Sequence, residues 1–280
     1  MSRFVRGLRM IGQDRAVLAA AALRYFVAFA VAAMGLRSAR PGWLRTLGLS
    51  TAGAGLAAAP LIIPGAPFYG SILRDWWPLL LVPVAYRAPA GLAGAPRILL
   101  ERQLLRVDER LAGLTRAKGT PRIPVLDDLL EVAYLLVYPL VPAGLLAFSW
   151  SGEASAGDGF WPVLWWAVLP CYASLPVLPT RAPRELAPVP EGSAGAKASV
   201  RRLNEGILAV FGNRRNTLPS GHASAAAAIA ALLWRVDSPW APVFVVLAAG
   251  IALGAVRGRY HYLVDSVAGA ALGMTAGLLL

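Results

Sequence analysis

The chain contains two histidines, His222 and His261, and each lies in a short polar stretch beside a long apolar one. Asp265 follows His261 by four residues, so the two side chains share one face of a helix. A carboxylate in that position accepts a hydrogen bond from one ring nitrogen and fixes the tautomer, which makes the other nitrogen a better nucleophile. The spacing is therefore typical of a nucleophilic histidine with an orienting aspartate.

The residues before His222 are typical of an anion-binding site. Pro219, Ser220 and Gly221 precede a stretch that we expect to be helical, and backbone N–H groups at the start of a helix attract an anion. Gly221 lets the backbone approach that anion closely. His222 lies on the first turn, where a general acid is placed to protonate a leaving alcohol. A plainer interpretation is that Ser220 only caps the helix and that the histidines are satisfied interfacial residues.

Four arginines lie in the polar stretches: Arg257 and Arg259 near the second histidine, and Arg181 and Arg184 in a third stretch, residues 178–185. A guanidinium pairs well with the phosphate oxygens that carry charge during phosphoryl transfer. The four are therefore candidate phosphate ligands, with membrane-surface charge as the alternative explanation. The chemistry needs no metal, and two histidines with one aspartate are not a convincing metal site, so we expect neither metal nor cofactor.

The composition indicates what kind of element holds these residues. Of 280 residues, 57% are hydrophobic and 15% are charged, with a mean hydropathy of +0.57. Soluble domains are about a quarter charged. The apolar residues come in long uncharged blocks, which predicts a polytopic membrane protein. Anionic lipid headgroups and basic cytoplasmic loops then explain the net charge of +12 better than nucleic acid does.

Eight apolar stretches are candidate membrane spans, since a span needs about 20 mostly apolar residues. They are residues 16–36, 47–64, 76–92, 129–148, 160–178, 222–234 with the residues before it, 240–256 and 263–280. The second is the weakest and is also consistent with a re-entrant or interfacial piece. In the last, Gly269, Gly273 and Gly277 form a ridge that permits close helix packing.

Residues 97–118 differ from the spans. Leucines recur there at helical spacing with arginines between them, which predicts an amphipathic helix lying on the membrane surface. With eight spans, the three polar stretches fall on one side of the membrane. That side carries 20 of the 27 Lys and Arg residues. The charge bias favours a cytoplasmic site, and both orientations stay open.

The motifs resemble those of the type 2 phosphatidic acid phosphatase (PAP2) superfamily, which are KxxxxxxRP, PSGH and SRxxxxxHxxxD. The chain has PSGH at residues 219–222 and HxxxD at residues 261–265. Tyr262 and Arg259 resemble more closely the branch that contains inositol phosphotransferases and inositol phosphorylceramide synthases. The resemblance covers residues 74–280 as a catalytic membrane domain, and it leaves residues 1–73 as an N-terminal membrane segment.

The resemblance implies a fold and a set of roles. The fold is an all-α, polytopic transmembrane bundle: a six-helix core, one or two N-terminal spans and the interfacial helix. His261 would form a phosphohistidine oriented by Asp265, and His222 would protonate the leaving group. Ser220, Gly221 and the arginines of the first and third motifs would hold the phosphate.

Two positions depart from the family's motifs. The arginine of the third motif is replaced by Ala255, so that Arg257 or Arg259 must substitute for it. The lysine of the first motif is absent, because Val177 stands seven residues before Arg184. Ser174 stands seven residues before Arg181, so neither arginine has the lysine of the first motif.

The sequence predicts a phosphatase of the cell (inner) membrane that hydrolyses a lipid-linked phosphate monoester or diphosphate. A second hypothesis is a phosphotransferase that passes the phospho-headgroup to an alcohol such as inositol, since the same residues serve both reactions. A third is a non-catalytic transporter or scaffold for anionic lipid. The expected partners are the lipid phosphate and membrane lipids, without nucleic acid, and the oligomeric state is left open.

Overall fold

The described part of the chain is built from helices. The computed structural model describes residues 15–62, 75–111, 123–152, 156–186, 198–213 and 215–280. In chain order the helices are α1 (Arg15–Gly35), α2 (Trp43–Ile62), α3 (Leu81–Arg87), α4 (Ile98–Arg110), α5 (Pro124–Leu135), α6 (Val137–Ser149), α7 (Ala156–Ala173), α8 (Pro183–Leu186), α9 (Ala198–Phe211), α10 (Gly221–Arg235), α11 (Ala241–Arg257) and α12 (Leu263–Leu279). Within these ranges the extended structure is one isolated bridge between Thr180 and Asn216. The predicted all-α class is confirmed.

Helix α10 lies at the centre of the bundle, and α12 packs along it. Almost every residue of α10 is buried, and most of them are alanine. Gly269, Gly273 and Gly277 of α12 face its backbone: a Cβ atom at Gly273 would collide with the carbonyl of Ser224, and one at Gly277 with that of Ala228. Side chains this small let two helices approach closely. The predicted packing role of the glycine ridge is confirmed.

The remaining core surrounds this helix pair. Phe160, Trp161 and Trp165 of α7 are almost fully buried and pack in one cluster with α10. A Cβ atom at Gly144 of α6 would collide with the side chain of Ile229 on α10. Helices α1 and α2 join the bundle at α3 and the residues after it, where the Tyr25 hydroxyl donates to the carbonyl of Ala85 at 2.9 Å. The division of the chain at residue 73 stays a prediction.

Hydropathy and length single out no membrane span among the individual helices of the described residues. One bent pair passes the test together, Val125–Leu135 with Val137–Ser149, and its two parts meet at 60°. Three shorter helical stretches are also apolar: Ala19–Gly35, Ala241–Arg257 and Leu263–Leu279.

The predicted span at residues 76–92 is wrong as a single helix. The structure divides it into the 3-10 helix Trp77–Leu80, the short helix α3 and the 3-10 helix Ala88–Leu92. Prolines at the starts of both 3-10 helices explain the division, because proline lacks the N–H that an uninterrupted helix would use. Arg87, the last residue of α3, lines a cavity.

Helix α4 confirms that the predicted amphipathic segment forms a helix with two unlike faces. Its inward face is formed by Glu101, Leu104 and Asp108, which are buried, whereas Ile98 and Leu99 are exposed. The predicted segment continued to residue 118, and its residues 112–118 lie outside the described ones. The inward face therefore contains two acidic side chains, and the exposed leucine and isoleucine lie at the start of the helix.

Candidate active site

Hydrogen bonds to the main chain join the three polar stretches. Asn216 donates its backbone N–H to the carbonyl of Thr180 at 2.7 Å, and its side-chain amide to the carbonyl of Tyr260 at 2.6 Å. The N–H of Arg184 donates to the carbonyl of Arg259 at 3.2 Å. Each stretch is thus bonded to the other two, and the candidate residues meet at one end of the bundle.

Ser220 caps α10 and ties it to α12. Its hydroxyl accepts from the N–H of Ala223 at 3.4 Å, and its own N–H donates to the carbonyl of Asp265 at 2.9 Å. Ser220 is fully buried and does not line the cavity beside the site, whereas Gly221 does. A Cβ atom at Gly221 would lie 2.7 Å from the ring of Tyr172. The structure therefore places Gly221 at the cavity and shows Ser220 as a helix cap.

The two histidines lie side by side. Their ring centres are 5.8 Å apart, at an angle of 72° between the planes. His261 comes just before α12, and Asp265 is on the first turn of that helix, so that its Oδ2 lies 3.4 Å from Nδ1 of His261. This arrangement leaves Nε2 as the ring nitrogen that does not face the carboxylate. The predicted proximity of His222, His261 and Asp265 is what the structure shows.

The surroundings of His261 favour its neutral form. Burial lowers the pKa of His261, and the positive charge of Arg184 lowers it further, to about 4. A histidine with so low a pKa is unprotonated at neutral pH and keeps a lone pair on one ring nitrogen. That is the protonation state a nucleophile requires.

Arg184 is the candidate arginine that reaches the cavity. Its guanidinium carbon lies 4.6 Å from the centre of the Tyr260 ring, and the residue lines the cavity together with both histidines. Its Nη1 atom is buried and has no hydrogen-bond partner among the described residues. The guanidinium is thus positioned by an aromatic face and retains a donor for a ligand.

The other three arginines do not line this cavity. The guanidinium of Arg181 pairs with the buried carboxylate of Glu101 at 2.7 Å, and that of Arg257 pairs with Asp127. Arg259 donates to a carbonyl of α8 at 3.2 Å. Its backbone has φ +60°, a left-handed conformation that side chains rarely adopt, at the turn between α11 and His261. These arginines hold the loops around the site.

The cavity itself has a volume of about 590 Å³ and is polar at one end. Both histidines, Arg184 and Asn216 line that end. The walls are largely apolar and come from the 75–92 segment and from α6, with Val82 and Val141 among their residues. A ligand with a charged head and an apolar body fits such a lining.

The sequence matches the PAP2 superfamily over residues 102–279, which is more than half of the chain and includes PSGH and HxxxD. The chain belongs to the PAP2 superfamily. No curated protein and no solved structure matches it. Membership indicates phosphatase-type activity in general terms. The narrower resemblance to the inositol phosphotransferase branch stays a prediction.

The departures of this PAP2 chain from the family's motifs have a structural setting. Ala255 is fully buried on α11 and packs with Tyr134 and Tyr260, and its carbonyl accepts the N–H groups of Tyr260 and His261 at 2.9 Å each. Val177 is 60% exposed, outside the cavity lining. The positions at which the family has a cation therefore carry apolar residues here, and Arg184 supplies the charge next to His261.

Tyrosines form a large part of this PAP2 site, and the sequence analysis missed them. Five line the cavity: Tyr86, Tyr134, Tyr138, Tyr172 and Tyr260. Tyr134 stacks on Tyr260 at 4.2 Å and meets the ring of His222 edge-on at 5.6 Å. Tyr260 directly precedes His261, which was a usable signal. Tyr134 and Tyr138 are four residues apart but lie in different helices, and no local spacing relates them to Tyr86 or Tyr172.

A buried carboxylate anchors this stack of rings. The Tyr260 hydroxyl donates to Glu131 at 2.7 Å, and the side-chain amide of Asn204 donates to the same oxygen at 2.9 Å. Glu131 lies on α5 and Asn204 on α9, so that two helices fix the ring on which Arg184 lies. Glu131 therefore positions the site without lining the cavity.

Proposed function

We propose that this protein is a membrane lipid phosphatase that hydrolyses a lipid-linked phosphate monoester or diphosphate through a phosphohistidine at His261. The observation that carries the proposal is the pair of histidines beside Arg184 at the polar end of a largely apolar cavity. A phosphate group fits the polar end, and a lipid chain fits the walls.

The first step transfers the phosphoryl group to the protein. Nε2 of neutral His261 attacks phosphorus, and the bond between phosphorus and the lipid oxygen breaks. The negative charge of the bound phosphate favours a proton on His222, which passes it to that oxygen, so that the lipid alcohol leaves uncharged. Arg184 and the positive end of the α10 helix dipole stabilise the negative charge on the phosphate oxygens.

The second step restores the enzyme. His222 is now neutral and takes a proton from a water molecule, whose oxygen attacks the phosphohistidine. The bond between phosphorus and Nε2 breaks, and inorganic phosphate leaves. Asp265 keeps the His261 ring in one orientation through both steps, because its carboxylate faces Nδ1.

We place the protein in the cell (inner) membrane as a multi-pass protein. The support is the outward face of several helices, where large apolar side chains are exposed: Val27 and Val31 on α1, Val246 on α11, Val267 and Met274 on α12. Soluble monomers rarely expose large contiguous apolar patches. The membrane supplies both a cover for these faces and the lipid substrate.

Substitution of each histidine tests the proposal. Phosphate release is measured in detergent with phosphatidate, phosphatidylglycerol phosphate and a polyprenyl phosphate. In His261→Ala the rate of phosphate release is expected to fall to the uncatalysed background. In His222→Ala the rate should fall by about 10²–10⁴-fold, the usual contribution of a general acid or base. Thr275→Ala, at an exposed position of α12 away from the cavity, is the control for expression and folding.

An aryl phosphate separates the roles of the two histidines. Its leaving group needs no protonation, so His222→Ala should still form the phosphohistidine and, without a base to activate water, accumulate it. Phosphate release that survives in both histidine variants would refute the phosphatase proposal.

An alcohol acceptor separates hydrolysis from transfer. Wild-type protein is given labelled lipid phosphate with and without inositol, and we expect inorganic phosphate as the product in both cases. Labelled inositol phosphate would instead support the phosphotransferase. A wild-type protein that binds anionic lipid and releases nothing from any substrate would support the non-catalytic scaffold.

A further inference from the structure

Arg87 lines the same cavity as the two histidines, although no motif includes it. It is the last residue of α3, and its Nη2 donates to the carbonyl of Val210 at 3.1 Å. Its Nε atom is buried and has no hydrogen-bond partner in the described part of the chain. A buried N–H group without an acceptor is unfavourable. The geometry indicates an acceptor that the described residues do not supply.

Tyr86 presents a second donor next to Arg87. Its hydroxyl oxygen accepts from the N–H of Asn213 at 3.2 Å, and its carbonyl accepts from the Asn213 side chain at 3.0 Å. A phenol that accepts a hydrogen bond keeps its own hydrogen for donation. Asn213 thus fixes Tyr86 in place while leaving its O–H available to a ligand in the cavity.

Arg87 and Arg184 reach the cavity from different elements. Arg184 lies on α8, over the ring of Tyr260 and beside His261. Arg87 ends α3 and is held by a carbonyl of α9. Each arginine has a buried nitrogen without a hydrogen-bond partner among the described residues. A phosphate attacked by His261 is served by Arg184 and the start of α10, which leaves the donors at Arg87 for another anionic group.

We propose that Arg87 and Tyr86 form a second anion subsite, which binds a phosphate group other than the one that His261 attacks. The inference rests on the proposed phosphatase function and makes lipids with two phosphate groups its preferred substrates. Two chemical sources fit: a polyprenyl diphosphate, or a phospholipid whose headgroup ends in a phosphate monoester. A guanidinium with an adjacent hydroxyl is suited to phosphate oxygens in either.

Matched substrates test the subsite. The kcat/KM of wild-type protein and of Arg87→Gln is measured for a polyprenyl diphosphate and the monophosphate of the same alcohol, then for phosphatidylglycerol phosphate and phosphatidate. Arg87→Gln is expected to lose at least about tenfold on each two-phosphate substrate that is turned over, and less than about threefold on its one-phosphate partner. The substrate pair in which Arg87→Gln shows this unequal loss identifies the source of the second phosphate.

Two variants control this experiment. Arg87→Lys keeps the charge without the forked donors and should recover part of the loss. Arg102→Gln removes an exposed charge of α4 outside the cavity and should leave all four values unchanged. An equal loss on the one-phosphate and two-phosphate substrates, or no loss on either, would overturn the second subsite.

A binding measurement keeps the test independent of turnover. In the His261→Ala protein, the affinities for inorganic pyrophosphate and for orthophosphate are measured by calorimetry, with and without Arg87→Gln. The subsite predicts that Arg87→Gln lowers the affinity for pyrophosphate at least about tenfold and the affinity for orthophosphate by less. If wild-type protein hydrolyses nothing while pyrophosphate binding still depends on Arg87, the phosphatase proposal fails and the subsite stands. Pyrophosphate binding that does not depend on Arg87 overturns the subsite alone.

Discussion

Arg181 and Arg184 are three residues apart, and their surroundings give them different tasks. Arg181 is bound by the buried carboxylate of Glu101, which accepts both its backbone N–H and its guanidinium. Burial alone would raise the pKa of Glu101, but the hydrogen bonds and the charge of Arg181 bring it below its usual value. Arg184 has no such carboxylate among its described contacts and faces the cavity. The same residue type is therefore structural at one position and available to phosphate at the other.

This difference predicts unequal effects of one substitution. Arg184→Gln is expected to lower kcat/KM for a lipid phosphate by about 10–150-fold, because a hydrogen bond to a charged group contributes about 1.5–3 kcal/mol. Arg181→Gln is the matched variant and should lose less than about threefold, with its effect mainly on thermal stability, since Glu101 is left buried without its partner. The reverse order of the two losses would show that Arg181 holds the phosphate.

The pKa of His261 gives this comparison a second readout. Burial is the larger cause of its low pKa and remains in Arg184→Gln, whereas the repulsion from Arg184 is removed. The pKa should therefore rise from about 4 toward the usual value of about 6.5 without reaching it. The neutral nucleophile is then lost at a higher pH as the solution is acidified. With two histidines in the chain, NMR titration of the ring signals measures this shift directly.

At the scale of single residues, the sequence predicted the candidate catalytic side chains and not the side chains that support them. His222, His261 and Asp265 were identifiable because PSGH and HxxxD are local patterns. Arg87 and Glu131 were not, since their relation to the site depends on contacts between residues more than 70 positions apart in the chain. For the same reason the four arginines looked equivalent until their partners were known.

At the scale of elements, α4 holds two of the loops that form the site. Glu101 on its first turn binds Arg181, in the loop before α8. Asp108, two turns further on, accepts the N–H of Leu263, the first residue of α12, at 3.0 Å. The backbone N–H of Arg97 also donates to the carbonyl of Pro179 at 2.9 Å. The amphipathic helix therefore anchors the ends of the segments that carry Arg184 and Asp265.

Asp108 offers a test of this anchoring role. Burial raises its pKa to about 6, so the carboxylate is still largely ionised at neutral pH, and two substitutions separate its charge from its acceptor oxygen. Asp108→Asn keeps an acceptor and should be close to wild type in both melting temperature and kcat. Asp108→Ala leaves the N–H of Leu263 unpaired and should cost about 1–3 kcal/mol of unfolding free energy.

The two variants are compared by thermal unfolding and by kcat at a temperature where both are folded. A loss of kcat in Asp108→Ala that Asp108→Asn restores supports positioning of α12. An equal loss in both variants would contradict it and assign the effect to the charge.

The elements were predicted unevenly for a physical reason. The stretches that became α1, α10, α11 and α12 are continuous and apolar, so composition alone identifies them. The stretch at residues 76–92 has the same composition but carries prolines that divide it, and the stretch at 129–148 bends by 60° at Leu136. Hydropathy reports where apolar residues are and does not report where the hydrogen bonding of a helix stops.

The whole molecule has two chemically different ends. The polar stretches with both histidines lie at one end, and a Cβ atom at Gly94 would collide with Arg40, which places the turn between α1 and α2 there too. At the other end, Ser151 donates to Ser238 at 2.7 Å, and the side chain of Trp161 donates to the carbonyl of Asp75 at 2.6 Å. The arginines of α4, of residues 178–186 and of residues 257–259 belong to the end that carries the site.

This asymmetry predicts an orientation, because loops rich in Lys and Arg stay in the cytoplasm. Single cysteines report it when the one native cysteine, the buried Cys171, is first replaced by Cys171→Ala. Pro239→Cys lies at the end opposite the site and Ala95→Cys at the end that carries it, and both positions are exposed. In intact cells a membrane-impermeant maleimide should label Pro239→Cys, and Ala95→Cys only after the membrane is opened. The opposite pattern would place the site outside the cytoplasm, and labelling of both positions in intact cells would contradict a bundle that crosses the membrane between its two ends.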